Sequence, residues 1–121
     1  MESIVEPISE SLISIEYFAK VDLRVGVITV ATTIASSKKL LKLQVDIGEI
    51  TGARQIVAGI AKYYTPEELV GRRVVIIANL APATLAGETS NGMVLAGASD
   101  DKAVLELMSP GETLPIGARV M

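Results

Sequence analysis

Cysteine and histidine are both absent from the 121 residues of this chain. Without cysteine there are no disulfide bonds and no thiolate chemistry, which is compatible with a reducing compartment. Without either residue the chain cannot build the usual zinc and copper ligand sets, a Ser-His-Asp triad or a Cys-His nucleophile pair. A glycine-rich phosphate loop is lacking too, because the segment 87–92 has no Lys-Ser/Thr ending. We therefore expect no catalytic residue, no metal ion and no cofactor.

Long apolar runs are also lacking. No stretch reaches the roughly 18 to 20 uninterrupted apolar residues that a membrane helix needs. The first residues, MESIVEPISESL, are acidic and do not show the basic segment and apolar block of a leader. These features predict a soluble, cytoplasmic protein that does not enter a membrane.

Charge is distributed unevenly, although the net charge is only −3. Residues 1–16 carry four glutamates and no basic residue, residues 17–73 carry nine basic and five acidic residues, and residues 74–121 carry two and five. The middle of the chain is therefore locally basic, which is typical of a surface that binds nucleic acid. Charges that merely scatter over solvated faces would give the same distribution.

Short strands dominate the pattern of apolar residues. Strict alternation at 21–27 and 41–47 predicts two half-buried strands, with Lys42 on the outer face of the second. Thr65 as N-cap, followed by a proline and a glutamate and ended by Gly71, predicts a helix of one or two turns. The other predicted elements are a helical turn at 14–18 and strands at 54–58, 74–78, 93–98 and 104–108.

The order of these elements predicts the fold class. Five strands with one short helix between the third and the fourth are typical of the all-β OB-fold, a partly open five-stranded Greek-key barrel. Extra carboxy-terminal strands are expected after these five, and the segment 104–108 is one of them. We expect residues 1–13 to form an amino-terminal tail and residues 14–121 to form one domain. Such barrels bind oligonucleotides on the face of strands two and three, flanked here by predicted loops at 31–39 and 79–92.

Five ordered blocks of this sequence resemble a known family, the tRNA-binding domains. These domains occur as small stand-alone dimers, as the carboxy-terminal domain or separate β subunit of methionyl-tRNA synthetases, and at the start of bacterial phenylalanyl-tRNA synthetase β chains. The resemblance is closest to the stand-alone and methionyl branch and spans about residues 14–97. Its blocks are 18–25, 39–43, 56–71, 78–82 and 90–93.

The resemblance implies a module that binds tRNA by its folded shape and without sequence specificity, working as a free homodimer or as the docking subunit of methionyl-tRNA synthetase. The dimer is implied to form through carboxy-terminal strands and amino-terminal elements outside the barrel. A carboxy-terminal dimerisation extension is therefore expected. The positions that match the family's motifs around the binding face are Lys20, Asp22, Arg24, Lys39, Lys42, Asn79, Ser90 and Met93.

Contacts with phosphate are expected from basic side chains on the predicted face, because neutralised phosphates supply most of the affinity for nucleic acid. The candidates are Lys38, Lys39, Lys42 and Arg54. A solvated pair of lysines in a loop is the alternative for the first two. Since the chain has only three tyrosines and one phenylalanine, none of them on the second strand, we expect base stacking to be minor.

Several candidate positions have a structural alternative. Asp22 and Arg24 lie two residues apart on one strand face, so an ion pair is as plausible as a contact with RNA. Asn79 and Ser90 could bond to phosphate or ribose, or could tie their own loop together. Met93 begins an apolar strand and would ordinarily belong to the core, unless the preceding glycine places it at the edge of the groove.

Two features depart from the family pattern. Residues 83–87 are neutral where many relatives have basic residues, so this loop should make fewer phosphate contacts. The loop at 49–52 is slightly longer and more acidic. A second hypothesis is therefore a protein-interaction dimer, either a chaperone-like branch of the family or a scaffold, for which the apolar segment 104–108 would supply an interface. The chaperone branch differs in the third-strand block, which here follows the tRNA-binding pattern.

Overall fold

Residues 7–121, which the computed structural model describes, contain ten strands and two short helices. Within this range no helix is long and apolar enough to cross a membrane. The elements in chain order are α1 (Ile15–Phe18), β1 (Leu23–Ile34), β2 (Ser37–Asp46), β3 (Arg54–Ala58), α2 (Pro66–Leu69), β4 (Arg73–Ile77), β5 (Ala83–Leu85), β6 (Glu88–Ser90), β7 (Met93–Val94), β8 (Ala96–Ala98), β9 (Leu105–Leu107) and β10 (Arg119–Val120).

One antiparallel sheet forms most of the fold, with the strand order β3-β2-β1-β4-β7 and with β10 paired to the start of β1. The segment that contains β6 and β7 packs back against β3, where the Asn91 N–H donates to the Gln55 carbonyl at 2.8 Å. This contact brings the two ends of the sheet together. The prediction of an all-β barrel with one short helix between the third and fourth strands is confirmed.

Alternation along β2 separates the core from the surface. Leu41, Leu43 and Val45 are fully buried, whereas the outward side chains of Lys42 and Gln44 are half-buried. Burial of each large aliphatic side chain stabilises the fold by roughly 1.5 to 3 kcal/mol. The predicted period of two in this strand is therefore confirmed.

The predicted loop at 31–39 is wrong, because β1 and β2 continue through it as a hairpin. Thr32 pairs with Lys42, and only two residues separate Ile34 from Ser37. The ladder extends past the barrel core, so these positions need no apolar alternation, and threonine favours extended backbone. The register then shifts, which leaves residues 38–40 in a bulge of β2.

The predicted loop at 79–92 is also wrong in part, since it contains the hairpin β5–β6. Ala86 and Gly87 form its turn with φ angles of 50° and 79°, the left-handed geometry of a tight two-residue hairpin. The predicted strand at 93–98 is divided between β7, which pairs with β4, and β8, which pairs with β9. An apolar run does not reveal where a chain passes from one sheet to another.

The amino-terminal elements lie outside the barrel. The helical turn α1 is confirmed, with the Tyr17 N–H donating to the Ser14 hydroxyl at 3.0 Å as an N-cap. Residues 7–13 belong to no helix or strand and are exposed. The division into a tail at 1–13 and a domain at 14–121 stays a prediction, and residues 1–6 of that tail lie outside the described range.

Candidate nucleic-acid interface

An open polar groove of about 550 Å³ lies on the outer face of β2 and β3, where the fold class is expected to bind its ligand. Gln44 of β2 and Gln55 of β3 form its floor, and the segments around Pro82 and Asn91 form a wall. Three side-chain links lie on this face, one to the connection between β2 and β3 and two to β6. Two of the links are charged and the central one is neutral.

The first link joins Arg54 to Glu49. The Arg54 Nε and Nη2 donate to the two carboxylate oxygens at 3.0 and 2.9 Å, and Nη1 donates to the carbonyls of Ala78 and Asn91 at 2.6 and 2.9 Å. Four hydrogen bonds thus fix one guanidinium that is 20% exposed. The hydrogen bond from Arg54 lowers the pKa of Glu49 below its ordinary value.

The central link is built from amides. The Gln44 Nε2 donates to the Gln55 Oε1 at 3.2 Å, and the Gln55 Nε2 donates to the Thr89 carbonyl at 2.8 Å. These bonds leave the side-chain oxygen of Gln44, and further N–H groups of both side-chain amides, able to bond to a ligand in the groove. The middle of the face is therefore polar and uncharged.

The third link joins Lys42 on β2 to Glu88 on β6, with 3.5 Å between Nζ and Oε1. Both side chains are about one-third exposed, at 31% and 34%. An ion pair this accessible contributes only about 0 to 1 kcal/mol to stability, so Lys42 can exchange its partner at little cost. Lys42 is thus a cation on the outer face of β2 that already pairs with a carboxylate.

Asp22 and Arg24 form a fork-like ion pair beside the groove. The Arg24 Nε donates to Asp22 Oδ1 at 2.5 Å, Nη2 donates to Oδ2 at 3.2 Å, and Nη1 donates to the Gly117 carbonyl at 3.2 Å. The bond from Arg24 lowers the pKa of the Asp22 carboxyl, and Arg119 and Arg54 add to the effect. Of the two alternatives that the sequence offered for these residues, the structure therefore contains the ion pair.

Asn79 and Ser90 tie the fold together. The Asp22 N–H donates to the Asn79 Oδ1 at 2.9 Å, and the Asn79 Nδ2 donates to the Lys20 carbonyl at 2.6 Å. Ser90 is 4% exposed, and its hydroxyl accepts from the Val57 N–H at 3.0 Å and donates to the Gly92 carbonyl at 3.1 Å. Both side chains thus bond to backbone groups of the domain, which is the structural alternative that the sequence offered for them.

The other predicted contact residues are exposed at different places. Lys38 and Lys39 lie in the bulge of β2 and form no ion pair within residues 7–121, although the sequence placed them in a loop. Met93 is 52% exposed and is therefore not a core residue. Lys20 lies with Nζ 5.2 Å from the Tyr17 ring centre, next to α1 and away from the lining of the groove.

The carboxylates Glu49 and Glu88 are the residues of this face that sequence reasoning did not assign to it. The acidic character of the loop at 49–52 pointed to Glu49, but it did not reveal that Glu49 pairs with Arg54. Glu88 is paired across 46 positions of sequence, and no local pattern reveals such a contact.

The chain is similar to several known proteins. A family model described as "Putative tRNA binding domain" matches residues 23–119. The methionine–tRNA ligase of Methanocorpusculum labreanum is 47% identical over 120 residues, which cover 99% of this chain and 17% of that ligase. A MetRS related protein from Pyrococcus horikoshii has a solved structure with a TM-score of 0.85 and 37% identity, covering 92% of this chain and 99% of that chain. The chaperone CsaA from Bacillus anthracis str. Ames has a TM-score of 0.81 and 32% identity, covering 92% and 100%.

Proposed function

Because the chain belongs to the tRNA-binding domain family, we propose that it docks folded tRNA on the outer face of β2 and β3. The family is a non-catalytic binding domain, and the matched part of the methionine–tRNA ligases is their tRNA-binding region and not their catalytic domain. This match confirms the prediction that the chain is not an enzyme. The proposed role is binding alone.

The observation that carries the proposal is the groove itself. Its polar lining comes from the amides of Gln44, Gln55 and Asn91 and from the ion pair of Arg54 and Glu49. Lys38, Lys39 and Lys42 lie further along β2, outside this lining. Tyrosine and phenylalanine are absent from its lining, so bases have no aromatic surface on which to stack. Such a surface suits recognition of the sugar-phosphate backbone and of RNA shape, without a preference for sequence.

A dimer and a synthetase partner are the finer parts of the proposal. An apolar cavity of about 290 Å³ lies between α1 and the carboxy-terminal β10, lined by Phe18, Val21 and Val120, and Ile15 beside it is 75% exposed. Its position supports a homodimer built from the two ends of the chain. In the cytoplasm such a dimer would bring tRNA close to methionyl-tRNA synthetase and raise its effective concentration there.

A chaperone-like role is the second candidate, and the likeness to CsaA favours it. Val104 and Met108, at 56% and 44% exposure, flank β9 and would supply an apolar surface for a peptide. Competition experiments distinguish the two roles. If the site binds tRNA, unlabelled tRNA displaces labelled tRNA and an unfolded apolar peptide does not. If the site is a chaperone site, a bound peptide is displaced by other unfolded peptides and not by tRNA.

The test is an anisotropy titration of labelled mixed tRNA with the full chain, with Lys38→Glu/Lys39→Glu, and with the matched single variants Lys39→Glu and Lys102→Glu. The double variant should weaken binding strongly, because it reverses two exposed charges on β2, the strand that also carries Gln44 and Lys42. Lys102→Glu changes the net charge as Lys39→Glu does, at an exposed position between β8 and β9, and should bind almost as well as the parent. Equal loss in Lys39→Glu and Lys102→Glu, with both still folded, would remove the site from this face.

A further inference from the structure

Hydrogen bonds to two backbone carbonyls hold the Nη1 end of the Arg54 guanidinium. Its Nη1 donates to the carbonyls of Ala78 and Asn91, which lie at the ends of two separate segments of the barrel. These two bonds do not involve Glu49, so they keep the guanidinium in place whether or not that carboxylate is bound. The remaining edge, Nε with Nη2, is therefore a fixed pair of parallel donors.

Glu49 covers that edge with both oxygens, at 3.0 and 2.9 Å. The pair stands between two open spaces, because both residues line the groove of about 550 Å³ and also a smaller pocket of about 270 Å³ beside Arg24 and Asn79. The carboxylate thus borders both spaces. Its side chain is 36% exposed, so it is accessible from solvent.

We propose that the Nε–Nη2 edge of Arg54 is a binding site for one RNA phosphate, and that Glu49 occupies this site until RNA displaces it. The inference rests on the proposed function and names a residue that sets its affinity. A carboxylate and a phosphate both present two oxygens to the same fork of donors, so they compete for it directly. Glu49 therefore lowers the affinity of the free protein for RNA.

The position of Glu49 in the chain permits the exchange. It lies in the connection between β2 and β3, outside the paired residues of both strands, so its movement breaks no bond of the ladder. Gly48 and Gly52 flank it with φ angles of 83° and 99°, and Ile50 beside it is fully exposed. The loop is therefore not anchored by a buried side chain at its tip.

The experiment compares Glu49→Gln with Glu67→Gln in the full chain, using labelled mixed tRNA and a series of salt concentrations. Glu67 is an exposed residue of α2, so this control removes the same charge from outside the groove lining. Glu49→Gln should raise affinity roughly two- to fivefold, the strength of an accessible ion pair. The slope of log affinity against log salt should stay close to that of the parent, because parent and variant make the same phosphate contact once RNA is bound. The control should leave both the affinity and the slope unchanged.

A third variant, Glu49→Gln/Arg54→Lys, distinguishes the effect of the paired guanidinium donors from the effect of the positive charge. Lysine keeps the charge but has no parallel pair of donors, so the gain in affinity should disappear while thermal unfolding shows that the domain is folded. If Glu49→Gln and Glu67→Gln have the same affinity while the parent binds tRNA, the ion pair of Glu49 and Arg54 has only a structural role and the inference is wrong. If neither the parent nor any variant binds tRNA at low salt, the proposed function fails and this inference fails with it.

Discussion

Lys42 and Glu88 face each other across β3, with 3.5 Å between the Nζ of the lysine on β2 and the Oε1 of the glutamate on β6. In residues 7–121 the structure contains two other ion pairs, Asp22–Arg24 and Glu49–Arg54, and they lie beside or within the same face. Three basic residues predicted to bind RNA therefore already have an internal carboxylate. Affinity for RNA should thus depend on how easily each cation changes its partner.

The first prediction concerns Lys42→Gln. Because Lys42 and Glu88 are both accessible, loss of the pair should change the free energy of unfolding by at most about 1 kcal/mol. The same change should weaken tRNA binding several-fold and lower the slope of log affinity against log salt by about 0.7 to 0.9, the value of one phosphate contact. Chemical denaturation and salt-dependent anisotropy measure the two effects. Lys102→Gln, at an exposed position between β8 and β9, is the matched control. An equal loss of affinity in both would contradict a specific role for Lys42.

The second prediction concerns Ser90→Ala. The change leaves the buried Val57 N–H without its acceptor, so it should lower the free energy of unfolding by about 1 to 3 kcal/mol. Thr89→Ala, at the exposed neighbouring position, should have little effect, since the groove uses only its backbone carbonyl. Urea denaturation of both variants measures the difference. Full stability together with lost tRNA affinity in Ser90→Ala would instead indicate direct contact with RNA.

The third prediction concerns the stability of the fold at acidic pH. Pairing with Arg24 lowers the pKa of Asp22 from its ordinary value of 3.8, so the pair stabilises the fold fully above that value and loses its effect as pH falls through the lowered pKa. Part of the drop in melting temperature below about pH 5 should therefore disappear in Asp22→Asn. Differential scanning fluorimetry from pH 7 to 3 measures it. Asp100→Asn, an exposed residue of the turn between β8 and β9, is the control, and identical pH profiles for parent and Asp22→Asn would refute the linkage.

Much of the fold was predictable because burial follows a simple period. The alternation of Leu41, Leu43 and Val45 with polar residues reveals a strand with one face in the core, and the cap at Thr65 reveals α2. The hairpin beyond the core carries no such signal, because Thr32, Thr33, Lys38 and Lys39 are all exposed and Ile34 is the one buried side chain between them. Tertiary pairing alone extends the strands there.

The sequence places the candidate residues on the right strands but does not reveal what they pair with. Lys42 and Arg54 were predicted to bind RNA, and the structure places them on β2 and β3, while their contact with RNA stays a prediction. Their carboxylate partners come from a loop and from a hairpin, and only the folded chain brings them together. Asn79 and Ser90 are likewise at the expected places, although their polar atoms bond to backbone within the domain.

The measurement that tests the central claim most directly is a titration of the full chain with mixed tRNA and with an unstructured RNA of equal length, each at low and moderate salt. The account predicts tighter binding to tRNA than to the unstructured RNA, and a loss of affinity on adding salt that corresponds to several phosphate contacts. Absence of binding to tRNA at low salt would contradict it. Equal affinity for the two RNAs would refute recognition of tRNA by its folded shape.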